Sequence, residues 1–298
     1  MSPKHAAIKL ERLLQNFLQH TKHNQNHYTL AGLAIFTLGL WASLVSLKLD
    51  PTTIAIDLLL VNAILGAPTA LALNALGLKT SASAAGTNIT FADALRVTAT
   101  ATASNVLPIP AGAIYHTGAI ASRGVSIAVA GGFIAIGSLL YLTLIATLIG
   151  MVIIKSNFAL GVGLLITGSI ASVCLIALIA VKSTCRIATL FLLIRILRLG
   201  VMVLRVWLCF SIIDVSADIT QAGVVAASVS IGTLVAVMPA GLGIAETVAA
   251  ALSITVGLPA AAGFTAVAIN RVMTILVALG MALIFYLQAF IRGNYNAN

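Results

Sequence analysis

Charge is what this sequence has least of. Of 298 residues, 16 are lysine or arginine and 7 are aspartate or glutamate, so charged residues make up 8% of the chain. An ordinary soluble domain carries about 25%. That shortfall excludes a soluble globular protein. Apolar residues make up 60%, and they fall in runs of eighteen residues or more, the length a helix needs to cross a bilayer. The short alternating segments of a membrane barrel are missing. The composition therefore predicts an all-α, polytopic integral membrane protein. No stretch is polar enough to form a separate soluble domain, so any chemistry sits in or at the bilayer.

Other absences narrow the function. The three cysteines, Cys174, Cys185 and Cys209, have no metal-ligand spacing and read as small buried hydrophobes. There is no His-Glu-x-x-His, no paired-aspartate motif of a prenyl-phosphate enzyme, no P-loop and no Gly-x-Ser-x-Gly. No catalytic residue, metal or cofactor is expected, and the chain reads as a non-enzyme. ATP-driven transport would need a separate subunit. The formal net charge is +9. The basic residues gather at the ends of apolar runs, where they set orientation and meet anionic lipid headgroups. Nucleic acid is not an expected partner.

What is present divides into a polar tail at 1–28, a membrane domain at 29–291 and a short tail at 292–298. Lys4, Lys9, Arg12 and Lys22 make the first tail basic. Ile8, Leu10, Leu13, Leu14, Phe17 and Leu18 have the spacing of an amphipathic helix on the inner membrane face. No cleavage signal follows, so the first apolar run reads as an uncleaved span. Full spans are expected at about 28–47, 53–76, 124–154, 159–181, 187–213 and 259–291, with a small-residue loop at 79–90. Two further regions, 91–123 and 219–256, are broken by prolines and read as re-entrant hairpins or paired crossings.

The basic residues give an orientation. With the N-terminus in the cytoplasm, Lys79, Arg123, Lys182, Arg186 and Arg292 all fall inside. Lys48 and Lys155 fall outside with Asp50, Asp214 and Asp218. Both termini are then cytoplasmic, in a cell inner (plasma) membrane. Pro110-Ala111-Gly112 recurs 129 residues later as Pro239-Ala240-Gly241. Each copy follows a run of small residues and precedes a short helix, a glycine turn and a long span. On this topology the two breaks open from opposite sides, which is the pattern of an inverted repeat with a site at its midplane.

The charge inside the apolar sequence singles out the site. A carboxylate at bilayer depth faces protein or a watery cavity and marks function by default. Glu246 lies eleven residues before Gly257, and Arg271 twelve after Pro259. At helical rise both sit roughly 17–18 Å from that turn. They are expected to pair or share a polar pocket, either as part of a substrate site or as an ion pair that holds two helices together. Gly241 and Gly243, after Pro239, permit close backbone approach and positive φ. The helix start beyond them is a ready anion site, unless the glycines only allow tight helix packing.

Arg198 and Arg205 share a helix face, with Arg195 one turn away. Arg195 and Arg198 are expected to snorkel to the cytoplasmic surface, and Arg205 to contact a phosphate at depth. Asn105, His116, Arg123 and Asn270 are weaker candidates. Asp57, Asp93 and Arg96 read as interfacial.

The residues Pro239 to Glu246, the Gly257-Leu258 turn and the following Arg271 resemble the C-terminal signature of the lysylphosphatidylglycerol synthase transmembrane, or flippase-like, family. Asn105-Val106-Leu107-Pro108 and Arg123-Gly124 resemble its earlier break. The resemblance spans about residues 30–290. Ala240 replaces the first glycine of the late pattern. The acid and arginine that usually follow the early one are replaced in the run from Gly112 to His116. The family's soluble synthase domain has no counterpart here. The resemblance implies the membrane module alone.

Together these readings predict a lipid-translocating protein that moves a phospholipid or polyprenyl-linked lipid between leaflets through a midplane pocket. Its partners would be membrane lipids with an anionic headgroup or lipid phosphate. Two alternatives stay open: a transporter of a small anionic solute, and a non-transporting subunit that supports a glycosyl- or aminoacyl-transferring partner.

Overall fold

In the computed structural model, residues 25–48, 54–104, 111–154, 157–234 and 243–295 are described, and every regular element among them is helical. In chain order they are α1 (Gln25–Leu47), α2 (Ile56–Ala84), α3 (Phe91–Ser104), α4 (Ala111–Ala121), α5 (Ile127–Ile153), α6 (Phe158–Lys182), α7 (Cys185–Ile212), α8 (Ile219–Leu234), α9 (Ile244–Thr255) and α10 (Ala260–Tyr295). Five of these, α2, α5, α6, α7 and α10 as far as Gln288, are long and apolar enough to cross a membrane. Large apolar side chains such as Leu38, Trp41, Ile64, Val173, Leu283 and Tyr286 are exposed on the outside. A surface so apolar fits lipid as its solvent. Of the tail expected at 1–28, residues 1–24, with its basic residues and amphipathic positions, lie outside the described residues, and 25–28 open α1.

α2 departs from the expected boundaries at both ends of its course. Pro68 lacks an N–H and crowds the carbonyl four residues back. The helix widens into a π turn at Asn62–Gly66 just before it, and continues. The first half of the loop expected at 79–90 is helix, which runs to Ala84 before a turn at Gly86. The small polar residues there satisfy themselves. Thr80 and Ser81 each donate to the Gly77 carbonyl at 2.9 Å, and Ser83 donates to that of Lys79 at 3.1 Å. Hydroxyls bonded back to their own helix do not force a loop.

Small residues also set how closely helices pack. A methyl added at Gly150 of α5 would lie 2.5 Å from the Leu165 backbone nitrogen of α6, and one at Gly161 would lie 2.5 Å from Ile154 Cα. Ser172 of α6 donates to Thr143 Oγ1 of α5 at 2.8 Å. Close backbones with a hydroxyl bridge are how helices hold together where lipid removes the hydrophobic drive between them.

The two broken regions have the same element order. α3 and α4 precede a turn at Gly124 (φ 87°) and the long α5. α8 and α9 precede a turn at Gly257 (φ 78°) and the long α10. Both turns need the left-handed backbone that glycine adopts without strain. The breaks themselves, 105–110 and 235–242, lie outside the described residues. The main apolar core joins the second hairpin to α7, with Val206, Phe210, Val225, Ala249 and Ala266 buried together.

Candidate functional site

The second hairpin holds its carboxylate in a closed arrangement. Glu246 is the third residue of α9 and is wholly buried. The Gly243 N–H donates to its Oε2 at 2.9 Å. Glycine has no side chain to return that bond, so this is half of a capping box. Gly243 takes φ 82°, which turns its amide toward the carboxylate. Oε1 faces Arg271 Nε of α10 at 3.1 Å, as an ion pair without an aligned hydrogen bond. The helix start expected to await an anion therefore already holds one, the chain's own Glu246. Beside it, Arg271 Nη1 and Asn270 Oδ1 are buried with no hydrogen-bond partner among the described residues.

Arg205 is a latch. Its Nε donates to Asn62 Oδ1 of the α2 π turn at 2.8 Å. Its Nη2 donates to Thr274 Oγ1 at 2.8 Å and to the Asn270 carbonyl at 3.2 Å, both on α10. Asn62 in turn donates to Cys209 Sγ at 3.2 Å. One planar guanidinium thus ties α7 to α2 and α10. The expected contact of Arg205 with a phosphate gives way to these internal bonds, because its side chain is buried and turned into the helix junction.

The open site lies in the other half. A cavity of about 300 Å³ is walled by α2, α3, α4, α5 and α7. Arg195 and Arg198 line it with His116, Asn74, Thr98 and Ser138. Arg195 is only 7% exposed, so it does not snorkel to the surface; it points inward. Gly137 makes room for it: a methyl there would lie 2.5 Å from the guanidinium, whereas one at Gly77 would meet it at an ordinary contact distance of 3.7 Å. Arg198 stacks 4.4 Å from the Tyr141 ring centroid, and Arg195 lies 5.7 Å from that of Phe191. Ser138 and Arg198 also line a smaller pocket of about 100 Å³ that reaches Val229 and Ser230 of α8. Arg198 therefore stands between the first hairpin's cavity and the second hairpin.

Among the described residues no carboxylate lines this cavity. Among the described residues the ion pairs are Arg123–Asp93 and Arg271–Glu246. An aromatic face returns about 0.5–2 kcal/mol to a cation, while removing each charge from water costs several kcal/mol. The rings therefore leave the two arginines short of full compensation. Arg195 Nε, Thr98 Oγ1, Asn74 Oδ1 and His116 Nε2 are all buried without a hydrogen-bond partner among the described residues.

The expected site residues thus separate rather than converge. Glu246, Arg271, Gly243 and Asn270 sit at the α9–α10 junction, Arg205 bridges to it, and His116 belongs to the separate cavity. Arg195 and Arg205 are ten residues apart on α7, about 15 Å along the axis. Pro239, Gly241 and Asn105 lie outside the described residues. Arg123 pairs with Asp93 at 3.1 Å on the surface, where such a pair contributes little. The charge that lines a cavity comes from Arg195 and Arg198 of α7 and faces the first hairpin. Arg195 and Arg198, expected at the cytoplasmic surface, were not read as site residues, and neither was Gly137. The signal for the arginines was the face that Arg198 shares with Arg205, with Arg195 one turn away. No family model, no curated protein and no solved structure matches the chain.

Proposed function

We propose that this chain translocates an amphiphile with an anionic headgroup, a phospholipid or polyprenyl-linked lipid, between membrane leaflets. The observation that carries this reading is the polar cavity walled by α2–α5 and α7, because two cations held inside a bundle of apolar helices are costly unless they are used. α1 together with the five long helices gives six crossings, and the two broken hairpins form an inverted repeat around the pathway. The parallel element order of the hairpins supports that repeat. Arg198, which lines both spaces, is where a headgroup passes from one half to the other. Glu246 and Arg271 then brace the second hairpin and meet substrate only if their pair opens. The termini face the cytoplasm of a cell membrane, and the molecule performs no bond chemistry of its own. The resemblance to the flippase-like membrane module agrees with this reading.

The test is reconstitution into liposomes with fluorescent lipids in both leaflets, followed by quenching from outside. Loss of the protected inner pool, faster than in empty vesicles, is the expected result. A protected pool that stays intact while a small anion enters would favour the solute transporter. Neither movement would favour a supporting subunit.

A further inference from the structure

We infer that the Arg195–Arg198 cavity is a phosphate-binding site. The proposal rests on the translocation reading for where the phosphate comes from, but not for the binding itself. Two guanidinium groups on adjacent turns of α7 present two positive charges to one space, and no acid residue among its walls answers them. A carboxylate has two oxygens and one charge, which a single arginine fork satisfies. A phosphate offers more acceptor oxygens and up to two charges, the better match to two forks with added side-chain donors. Those donors are in place. Thr98 is 1% exposed and its hydroxyl has no partner among the described residues. Arg195 is more than nine-tenths buried and its Nε has none. His116 Nε2 lines the same space and is equally unpaired. The Asn74 amide joins them once rotated so that its NH₂ faces inward.

The site is built, not incidental. Gly137 leaves a slot for the Arg195 guanidinium, and Tyr141 supports the plane of Arg198. A volume of about 300 Å³ admits a phosphate with several further heavy atoms, at the lower end of ordinary ligand pockets. The same chemistry could arrive as a lipid headgroup or as a free phosphate ester.

The full chain, purified in a phosphate-free sugar detergent, distinguishes the two sources. One arm titrates phosphatidylglycerol against diacylglycerol as the uncharged control, and the other titrates glycerol phosphate. Saturable binding is expected, read as a rise in unfolding temperature and as a dissociation constant. Arg195→Gln and Arg198→Gln should each weaken it at least tenfold. Gly137→Val, which fills the slot without removing a charge, should do the same. Binding of phosphatidylglycerol but not glycerol phosphate assigns a lipid headgroup; binding of both assigns the phosphate itself. Absence of binding in both arms would overturn the proposal, as would binding untouched by all three substitutions in protein that stays folded. Binding without lipid movement in liposomes would sink the translocation reading and leave the phosphate site standing. Lipid movement by a native protein that binds phosphate in neither arm would do the reverse.

Discussion

Glu246 and Arg271 meet at 3.1 Å across the α9–α10 turn, with the acid wholly buried and its second oxygen held by the Gly243 amide. The carboxylate therefore has two duties, to neutralise a base and to cap a helix. They can be separated. Glu246→Gln keeps an oxygen for the Gly243 N–H but leaves the Arg271 charge unpaired. Breaking a buried pair from one side costs about 3–5 kcal/mol, so the unfolding temperature in detergent should fall sharply. Glu246→Gln with Arg271→Met should recover part of the loss, since no charge is then stranded. The exchanged pair, Glu246→Arg with Arg271→Glu, restores charge balance but offers Gly243 no acceptor. It should stay well below the native protein in stability. An exchanged pair as stable as the original would show that the cap contributes nothing.

How much of this was readable in advance depends on which force decides each position. The pairing of Glu246 with Arg271 follows from helical rise and a turn at Gly257, both local quantities. The fate of the two long polar side chains on α7 does not. Arg198 and Arg205 share a face, yet one lines a cavity beside Arg195 and the other ends in a hydrogen-bonded junction. The difference lies in Gly137 and Asn62, contributed by helices far away in sequence. The small polar run after Gly77 was misread as a loop for a related reason. Its composition suggests exposure, but hydroxyls bonded to their own helix carbonyls are at home in a buried helix. Nothing in the sequence near Glu246 says that its helix start is already occupied; that depends on the side chain folding back through the Gly243 turn.

The latch role of Arg205 predicts a loss of stability before any loss of binding. Arg205→Leu removes three hydrogen bonds from a charged group, each worth about 1.5–3 kcal/mol. It also strands the oxygen of Asn62 and loosens α7 from α2 and α10. The expected result is a strongly lowered unfolding temperature. Arg205→Lys should lie between, because a lysine keeps the charge but cannot reach α2 and α10 with one planar fork. If Arg205→Leu unfolds at the native temperature yet no longer moves anionic lipid, Arg205 contacts substrate and the latch reading fails.

The α5–α6 contact should be separable from the cavity. Gly161 lies against the Ile154 backbone, and α6 supplies no wall of the cavity. Gly161→Leu must push α6 outward, at a cost of about 1–3 kcal/mol for overpacking, while the Arg195–Arg198 site keeps its geometry. Thermal unfolding should shift down and phosphate-ligand affinity should hold within about twofold at a temperature where the variant is folded. An affinity loss as large as that of Arg195→Gln would mean that α6 positions the site through α5.

Acid should loosen the start of α8 through one residue. Asp218 accepts from the Thr220 hydroxyl, and its Oδ1 also accepts the backbone N–H groups of Thr220 and Gln221, each at 2.8 Å. These bonds, the Thr220 hydroxyl foremost, hold its carboxyl below the usual aspartate range. The unfolded chain, near 3.9, then binds a proton more readily than the folded one. The stabilisation is complete above about pH 4 and is lost as pH falls through the lower folded value. Because Asp218 is exposed, solvent screens the effect and the loss stays local. Gln221 carries it further, since its Nε2 donates to the Val256 carbonyl at the end of α9. Hydrogen exchange at the first turn of α8, corrected for intrinsic rates, should accelerate below pH 4. Asp218→Asn still caps the helix but does not titrate, so its exchange should be slower to respond to acid. Equal acid sensitivity in the two proteins would move the switch to another group.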